Sequence, residues 1–338
     1  MRKRVLLKDI AEQANVSISL VSIVLNDKAR KNGVRPEVAE KIRRVAKELN
    51  YAPNAAAKSL REGRSRTIGL IVSDISNPFF ANIARHVERT AEKYGYAVHF
   101  SSSDENAAKT AMLAENMIGR GIDGIIVVPC EGSRDLIADL AERSIPLVQL
   151  DRYFPGINAT HICLNNKKAG YDVTRHLIGN GYRKISMINY SFNIQHTLGR
   201  NAGYEEAMNE AGLGKNIFKA TVTHGKMEES CLTAISKVIK AQSDALIMST
   251  NTIAINCLKI LSDKKMRIPE DLALVGFDGG DAFDFFNPSI TYIMQPLEAM
   301  AQKAVEILIE QIEDSTNHFK QEIEYEGKLI ERGSSKKL

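Results

Sequence analysis

The amino-acid sequence predicts a small all-α head followed by a larger α/β body made of two subdomains. Apolar residues recur at helical spacing up to about residue 50, whereas apolar strand-like runs alternate with helical stretches from Thr67 onward. Charge divides at the same place: the chain up to Arg66 holds 16 Lys and Arg against 7 Asp and Glu, and the remainder holds 29 against 34. A basic end on a mildly acidic body is typical of a protein that meets a polyanion. Charge alone would also suit an anionic membrane surface or a solvated tail.

Three short helices are predicted in the head. Their apolar residues at helical spacing are Leu7, Ile10, Ala11 and Ala14, then Val21, Val24 and Leu25, then Val38, Ile42, Val45 and Leu49. Ser17 is a suitable N-cap for the second helix, and Pro36 suits the first turn of the third. Two helices joined by a short turn, with a third beside them, predict a helix-turn-helix unit. A purely structural bundle is the alternative, which the positive charge of the segment disfavours.

The head also carries the motifs of a known family. These motifs are Leu7-Lys8-Asp9-Ile10-Ala11-Glu12-Gln13-Ala14-Asn15-Val16-Ser17, Val21-Ser22, Leu25-Asn26, Leu49-Asn50-Tyr51-Ala52-Pro53-Asn54 and Ala57-Lys58-Ser59-Leu60. Together they resemble the lac repressor/galactose repressor (LacI/GalR) family, and the resemblance runs almost to the C-terminus. It implies a sequence-specific transcriptional regulator, expected to be a repressor, that binds double-stranded operator DNA as a homodimer.

The resemblance implies three segments. A helix-turn-helix DNA-binding domain covers 1–52, a hinge helix and linker cover 53–66, and an effector-binding and dimerisation domain covers 67–338. The last is expected to have a periplasmic-binding-protein-like fold of two subdomains, with the chain crossing between them near 160, 290 and 320.

By this resemblance the second helix lies in the DNA major groove, where each base pair presents a distinct set of donors and acceptors. Ile18, Ser19 and Ser22 would face the bases, and Ile23 stands where most family members carry an arginine. The loop 27–35 is longer and more basic than the family usually shows, so more of the affinity is expected from phosphate contacts. The residues expected to contact DNA are Lys8, Ser17, Ile18, Ser19, Ser22, Ile23, Asn26, Lys28, Arg30, Lys31, Asn54, Ala57 and Leu60.

The segment that follows the head predicts a hinge. Residues 54–61 suit a helix of roughly two turns, which is too short to be stable alone in water. The family's hinge helix folds only on DNA, and the resemblance implies that Leu60 enters the minor groove as an apolar wedge that bends the duplex. A simple linker is the alternative.

The body alternates strands and helices. Strand-like runs cover 68–72, 97–100, 124–128, 147–150, 184–188, 220–222, 245–248 and 272–277, and helical stretches lie near 80–94, 107–119, 133–143, 166–180, 198–211, 227–241 and 252–264. Continuous apolar strands between helices predict parallel sheets that are covered on both faces. Two such sets predict two Rossmann-like subdomains, with the ligand in the cleft at the carboxyl ends of the strands.

The resemblance also implies which residues bind the effector. Phe79 would stack on it, and Arg200 and Asp278 would hold its polar groups, since a planar guanidinium with five donors suits hydroxyls or a carboxylate. The full set is Asp74, Asn77, Phe79, Phe80, Asp151, Arg152, His196, Arg200, Lys226, Asn251 and Asp278. Alternatively, Phe79 or Phe80 belongs to the core, Asp151-Arg152 is a surface pair, and Arg200 is structural. Thr252 departs from the family, which usually has an aspartate there.

A sugar or sugar derivative is the effector class that the resemblance implies, with a nucleobase as the alternative. No stretch approaches the roughly 18 apolar residues of a membrane span, and the basic N-terminus is not followed by a signal-peptide pattern. We therefore expect a cytoplasmic, nucleoid-associated protein without a membrane partner. The four cysteines lack metal-ligand spacing and are expected to be free buried thiols. We expect no metal and no cofactor.

Two other function classes would use a similar body. A solute-binding protein of transport should carry a signal peptide and no basic head. An enzyme would use the same cleft, but the sequence lacks the dinucleotide, P-loop, nucleophile-elbow and H-E-x-x-H motifs, so we expect no catalysis. No heptad tail follows Leu329-Ile330-Glu331-Arg332-Gly333, and assembly beyond a dimer is not expected.

Overall fold

Two units make up the chain, one up to Ser65 and one from Arg66 onward. A computed structural model describes residues 5–51, 63–314 and 320–337. The first unit corresponds to the predicted head and the second to the predicted body. None of the described helices is long and apolar enough to cross a membrane.

The head consists of the helices α1 (Leu7–Ala14), α2 (Ile18–Leu25) and α3 (Pro36–Glu48), which bury Ile10, Val21, Val24 and Ile42 completely. Ser17 caps α2, since its hydroxyl oxygen accepts a hydrogen bond from the Leu20 amide at 3.2 Å. The turn before α2 passes through Asn15, whose φ of 55° is a left-handed conformation common at helix C-termini. The predicted helix-turn-helix unit is confirmed.

The body contains the strands β1 (Thr67–Val72), β2 (Ala97–Ser102), β3 (Gly124–Val127), β4 (Leu147–Leu150), β5 (Thr160–Leu164), β6 (Ile185–Tyr190), β7 (Phe218–Val222), β8 (Ala245–Met248), β9 (Ala273–Phe277), β10 (Thr291–Met294), β11 (Glu322–Tyr325) and β12 (Lys328–Ile330). Its helices are α4 (Pro78–Lys93), α5 (Ala107–Gly119), α6 (Arg134–Glu142), α7 (Asn166–Gly179), α8 (Gln195–Glu210), α9 (Met227–Lys240), α10 (Asn251–Asp263), α11 (Asp281–Phe285) and α12 (Leu297–Glu313). The alternation of strands and helices agrees with the α/β pattern of the sequence.

The strands form two six-stranded sheets. The first has the order β11-β5-β4-β3-β1-β2 and is parallel throughout, and the second has the order β12-β10-β9-β8-β6-β7, with only β12 antiparallel to its neighbour. Helices α4 and α12 cover one face of the first sheet and α5 and α6 the other, while α9 and α10 cover one face of the second sheet and α7 and α8 the other. We call these layers the first and second subdomains; they confirm the predicted fold class.

The chain crosses between the subdomains three times, after β5, after β10 and between β11 and β12. The sequence pattern does not predict the strands that flank these crossings, β5, β10, β11 and β12. Each of them contains polar or charged residues among its apolar ones, so none reads as the continuous apolar run by which the other parallel strands are predicted. Helix α12 is also unpredicted, although its apolar residues do have helical spacing.

Helices α7 and α8 pack with their backbones in direct contact. A Cβ at Gly170 would collide with the backbone of Arg200, and one at Gly203 would collide with the Lys167 carbonyl and lie 2.6 Å from the Tyr171 nitrogen. Glycine is therefore required at both positions by close approach. This packing fixes the position of α8, and with it the position of Arg200.

We expect Gly203→Ala to lower the free energy of unfolding of the body by at least about 2 kcal/mol, because the added methyl group forces two helix backbones apart. Gly179→Ala is the matched control, since Gly179 lies in α7, the helix that packs against α8, and a Cβ there meets nothing within 4 Å. Urea unfolding followed by circular dichroism measures both. Equal midpoints for the two variants would contradict the close packing.

Candidate functional site

The head exposes the residues that the sequence assigns to DNA contact at the start of α2 and in the loop after it. Ile18 is 52% exposed, Ser19 is exposed, and Ser22 and Ile23 are half-buried. Lys8, Ser17, Lys28, Arg30 and Lys31 are also exposed, whereas Asn26 is half-buried. Three predicted contact residues, Asn54, Ala57 and Leu60, lie outside the described residues.

The basic loop 27–35 is held on the head rather than hanging free. Ala29 is 8% exposed and packs into the head core, and Arg43 donates to Asp27 at 3.1 Å. At the end of α2 the Asn26 amide donates to the Ser22 carbonyl at 2.6 Å and to its hydroxyl at 3.3 Å. The Ser22 hydroxyl oxygen accepts the hydrogen bond from Asn26, so its own hydrogen can still be donated to another acceptor.

A cleft lies between the two subdomains at the carboxyl ends of their strands. Ten of the eleven residues assigned to the effector line it, namely Asp74, Asn77, Phe79, Phe80, Asp151, Arg152, His196, Arg200, Asn251 and Asp278. The cavity that remains is about 30 Å³, which is room for only a few water molecules. Lys226 is exposed in the turn before α9 and is not part of the lining; its neighbour His224 is.

Hydrogen bonds between the subdomains close this cleft. The Asn77 amide nitrogen donates to the Thr252 hydroxyl at 3.2 Å, and the Asn251 amide donates to the Asn77 oxygen at 2.8 Å. On the other side, the Asn193 backbone amide donates to the Glu131 carboxylate at 2.8 Å. The closed arrangement is therefore held by short polar contacts that require no ligand atom.

Strand ends position the acidic residues of the cleft. Asp151 directly follows β4 and Asp278 directly follows β9, with φ values of 67° and 73°. This left-handed conformation is tolerated by aspartate far better than by β-branched residues. It turns the chain out of the sheet, so that each carboxylate is held at the mouth of the cleft by backbone geometry. Asp278 also accepts a hydrogen bond from the Gln295 amide at 2.6 Å.

Two buried arginines balance the acidic residues. Arg152 donates to both oxygens of Glu105 at 2.8 and 2.9 Å, and its guanidinium lies 5.7 Å from the centre of the Phe80 ring. Asp151 and Arg152 are each 5% exposed, which excludes the surface-pair alternative. Arg200 donates to Asn166 at 2.8 Å and to the Ser249 carbonyl, and it lies 4.2 Å above the Phe277 ring.

Burial shifts the ionisation of this cluster. Loss of water raises the pKa of Asp151 to about 6, although Arg152 and Arg200 oppose the shift. Burial likewise raises the pKa of Asp278 and lowers that of Arg200. The pKa of His196 falls well below its usual value, mainly through burial and then through Arg152, so its imidazole is neutral.

Three buried polar atoms of the cleft make no hydrogen bond to any described residue: Arg152 Nε, His196 Nδ1 and the Gln295 side-chain oxygen. Each such atom costs about 1–3 kcal/mol when nothing replaces its water. A small molecule with hydroxyl or amine groups would relieve that cost. The cleft is thus built to accept polar atoms from outside the chain.

Phe79 and Phe80 serve both the core and the cleft. Both are almost completely buried in the cluster that joins the first sheet to α4 and α12. Their rings meet edge to face with centres 5.0 Å apart, and both also line the cavity. Phe79 and Phe80 therefore belong to the core and line the cleft at the same time.

Six lining residues are absent from the sequence-based set: Glu105, Tyr190, His224, Thr250, Thr252 and Gln295. All of them end a strand or follow one closely, after β2, β6, β7, β8 and β10. Carboxyl ends of parallel strands meet at one edge of a sheet, so listing every polar residue there would have found most of them. Gln295 is the exception, because β10 itself is not predicted.

Sequence profiles of two families match the chain. The profile described as bacterial regulatory proteins, lacI family, matches residues 6–54, and the periplasmic binding protein-like domain matches residues 174–335.

The four cysteines are free and buried, and no group of potential metal ligands occurs in the described part of the chain.

Curated relatives match nearly the whole length. The ribose operon repressor of Haemophilus influenzae is 31% identical over 93% of this chain and 94% of its own. The transcriptional repressor PurR of Photobacterium profundum is 30% identical over 98% of this chain and 99% of its own.

Solved structures show the same fold. The lac repressor dimer bound to operator and the anti-inducer ONPF superposes with a TM-score of 0.85 at 20% identity, covering 99% of this chain and 100% of that one. A putative ribose operon repressor from Burkholderia thailandensis has a TM-score of 0.70 at 26% identity, over 79% of this chain and 99% of its own. Head, body and near full-length relatives thus agree: the chain belongs to the lacI family of bacterial regulatory proteins, and it is a DNA-binding transcriptional regulator with a ligand-binding body.

Proposed function

We propose that this regulator is a homodimeric cytoplasmic repressor whose effector is an uncharged sugar or sugar derivative bound in the cleft. The observation that carries the proposal is the balance of buried charge there. Four carboxylates line the cavity against the two guanidiniums of Arg152 and Arg200, and no lysine of the described residues lines it; the carboxylates are those of Asp74, Glu105, Asp151 and Asp278. An anionic effector would add to an existing excess of negative charge.

The existing contacts of the arginines support the same conclusion. Arg152 is ion-paired with Glu105 through Nη1, which contacts both carboxylate oxygens, so a phosphate at this arginine would lie beside a buried carboxylate. Arg200 is anchored by Asn166 and Ser249. Its planar fork retains N–H donors, which suit neutral hydroxyl oxygens.

Hydroxyl groups match the rest of the lining. Asp151, Asp278 and the unpartnered Gln295 oxygen can accept from hydroxyls, and Asn251 can both donate and accept. Phe79 and Phe80 supply ring surface for the apolar face of a sugar. The name of the ribose operon repressor relative agrees with this effector class.

We propose that the effector acts by changing how far the cleft closes. The bonds from Asn77 to Asn251 and Thr252 join the subdomains directly, so a ligand that takes over these groups changes the closed arrangement. In a dimer, a change in closure would alter the spacing of the two segments 53–66, and a helix of about two turns is marginal enough to respond. Operator binding would thereby depend on the effector.

Calorimetric titration with a panel of free pentoses and hexoses, the matching sugar phosphates and hypoxanthine tests the effector class. We expect a free sugar to bind and its phosphate to bind at least about tenfold more weakly, because the phosphate would add buried negative charge to a lining in which carboxylates already outnumber arginines. No substrate turnover should accompany binding. Tighter binding of a sugar phosphate would refute the charge argument, and binding of hypoxanthine alone would favour the nucleobase alternative.

Variants at two cations sharpen this test. Arg200→Ala should weaken sugar binding by about 1.5–3 kcal/mol, the range for hydrogen bonds to charged groups. Lys226→Ala is the control, since Lys226 was assigned to the effector from sequence but lies outside the cleft lining. If both variants lose affinity equally, the cleft is not the binding site.

The pH dependence of stability tests the buried carboxyl. Since the pKa of Asp151 is about 6 in the folded protein and lower in the unfolded chain, its proton stabilises the fold at low pH, and this contribution is lost as pH rises through 6. Between pH 5 and pH 8 the wild type should lose roughly 1.4 kcal/mol more than Asp151→Asn does. The exposed Asp263→Asn variant should follow the wild type in urea titrations at both pH values. A wild-type-like profile for Asp151→Asn would show that Asp151 is already ionised at pH 5.

Recognition of DNA can be tested at Ile23. Arginine there should add a guanine preference worth about 1–3 kcal/mol at one position of the operator, because a bidentate contact to guanine discriminates by that amount. Gln13→Arg, on the exposed side of α1, adds the same charge and should raise affinity without a new preference. Selection from randomised sites measures both; identical site profiles for the two variants would place Ile23 away from the bases.

A further inference from the structure

A second concave site lies beside the cleft, on its α6 and α8 side. We call it the flank groove; its main lining residues are Arg134, Phe154, Lys167, Ile194, Gln195 and Leu198. Its cavity is about 540 Å³, compared with about 30 Å³ for the closed cleft. A volume of roughly 300–1,000 Å³ is typical of sites for small organic molecules.

The floor and walls of the flank groove are mostly apolar. Leu198 is 51% exposed on α8, and Phe154 is half-buried at the end of the loop after β4. Ile194 is 2% exposed beneath them. An exposed leucine next to an aromatic ring, within a concavity, provides surface for a flat apolar molecule.

The rim of the flank groove carries a cation that no described carboxylate neutralises. The Arg134 guanidinium donates one hydrogen bond to the Pro155 carbonyl at 2.8 Å and lies 5.9 Å from the centre of the Phe154 ring. These two contacts orient the group while leaving most of its N–H donors unused. Lys167, by contrast, is paired with Glu206 at 2.9 Å.

An unsatisfied acceptor lies in the same groove. The Gln195 side-chain oxygen is buried and makes no hydrogen bond to any described residue. It lies at the first residue of α8, whose later residues His196 and Arg200 line the cleft. The flank groove and the cleft therefore share one helix but differ in charge, since the cleft is acidic on balance and the groove presents a free cation.

We propose that the flank groove is a second small-molecule site, which binds an organic monoanion with a flat apolar body and at least one hydrogen-bond donor. The carboxylate or sulfonate of such a ligand pairs with Arg134, its ring system packs on Phe154 and Leu198, and its donor meets the Gln195 oxygen. Arg134 and Phe154 belong to the first subdomain, and Gln195 and Leu198 to the second. A ligand in the groove thus bridges the two subdomains and stabilises their closed arrangement.

Binding of 6-hydroxy-2-naphthoate, whose hydroxyl lies at the far end of the ring system from its carboxylate, to the full-length protein tests the proposal, with 6-hydroxy-2-naphthamide as its uncharged counterpart. Both are measured by calorimetry and by the shift in melting temperature. We expect the naphthoate to bind with a Kd of about 1 mM or tighter, as suits a ligand of this size. The naphthamide should bind about tenfold more weakly, because it lacks the charge-assisted hydrogen bond to Arg134.

Three variants locate the site. Arg134→Gln should reduce naphthoate affinity about tenfold and leave naphthamide affinity unchanged, since it removes the charge alone. Leu198→Glu should abolish binding of both, and it changes an exposed residue, so that its fold can be verified by circular dichroism. Arg120→Gln, an exposed arginine at the end of α5 outside the groove, is the control and should bind like the wild type.

The outcomes separate clearly. Loss of naphthoate binding in Arg134→Gln and Leu198→Glu, but not in Arg120→Gln, supports the site. Wild-type binding by Leu198→Glu would place the probe elsewhere, and equal affinities for naphthoate and naphthamide would refute the role of Arg134. Absence of naphthoate binding to the wild type at 5 times the expected Kd of about 1 mM would refute the site itself. None of these results depends on the identity of the cleft effector.

Discussion

Matching of buried charge is the constraint on which the cleft depends. Two arginines and three carboxylates are withdrawn from water there, and a buried ion without a partner is strongly destabilising. Glu105 neutralises Arg152, and Arg200 is surrounded by Asn166, Ser249 and the Phe277 ring. Burial raises the pKa of Asp151, although Arg152 and Arg200 oppose the shift. The cluster therefore cannot readily compensate the charge of a further anion. The proposal that the effector is uncharged rests on this limit.

The packing of α7 against α8 determines the position of the buried Arg200 guanidinium. Gly170 and Gly203 let α7 and α8 approach until their backbones touch, and Arg200 lies on the contacting stretch of α8. The guanidinium is consequently held between Asn166 of α7 and the end of β8. A larger residue at either glycine would move a buried cation as well as two helices. Stability of the second subdomain and geometry of the cleft thus rest on the same contact.

Two sites with opposite charge preferences lie along α8. The cleft side of the helix presents His196 and Arg200 to an acidic cavity, and the groove side presents Gln195 and Leu198 next to an unpaired Arg134. Both sites are built from both subdomains. Relative movement of the subdomains would therefore change both at once, and ligands at the two proposed sites would alter each other's affinity by the same factor, as linkage requires.

The sequence by itself determined the head and most of the body. Helical spacing with the Ser17 cap defined α1, α2 and α3, and strand–helix alternation defined two parallel sheets, because these signals are local in the chain. Motif resemblance likewise identified ten residues that line the cleft. Tertiary structure alone decided which side chains pair with each other. Glu105 neutralises Arg152, Asn77 reaches Thr252 across 175 residues, and Gln295 enters the cleft at the second crossing of the chain. All three contacts depend on which strands become neighbours. Such contacts produce no periodic pattern in the sequence, because they are fixed by strand order and by the closure of one subdomain on the other.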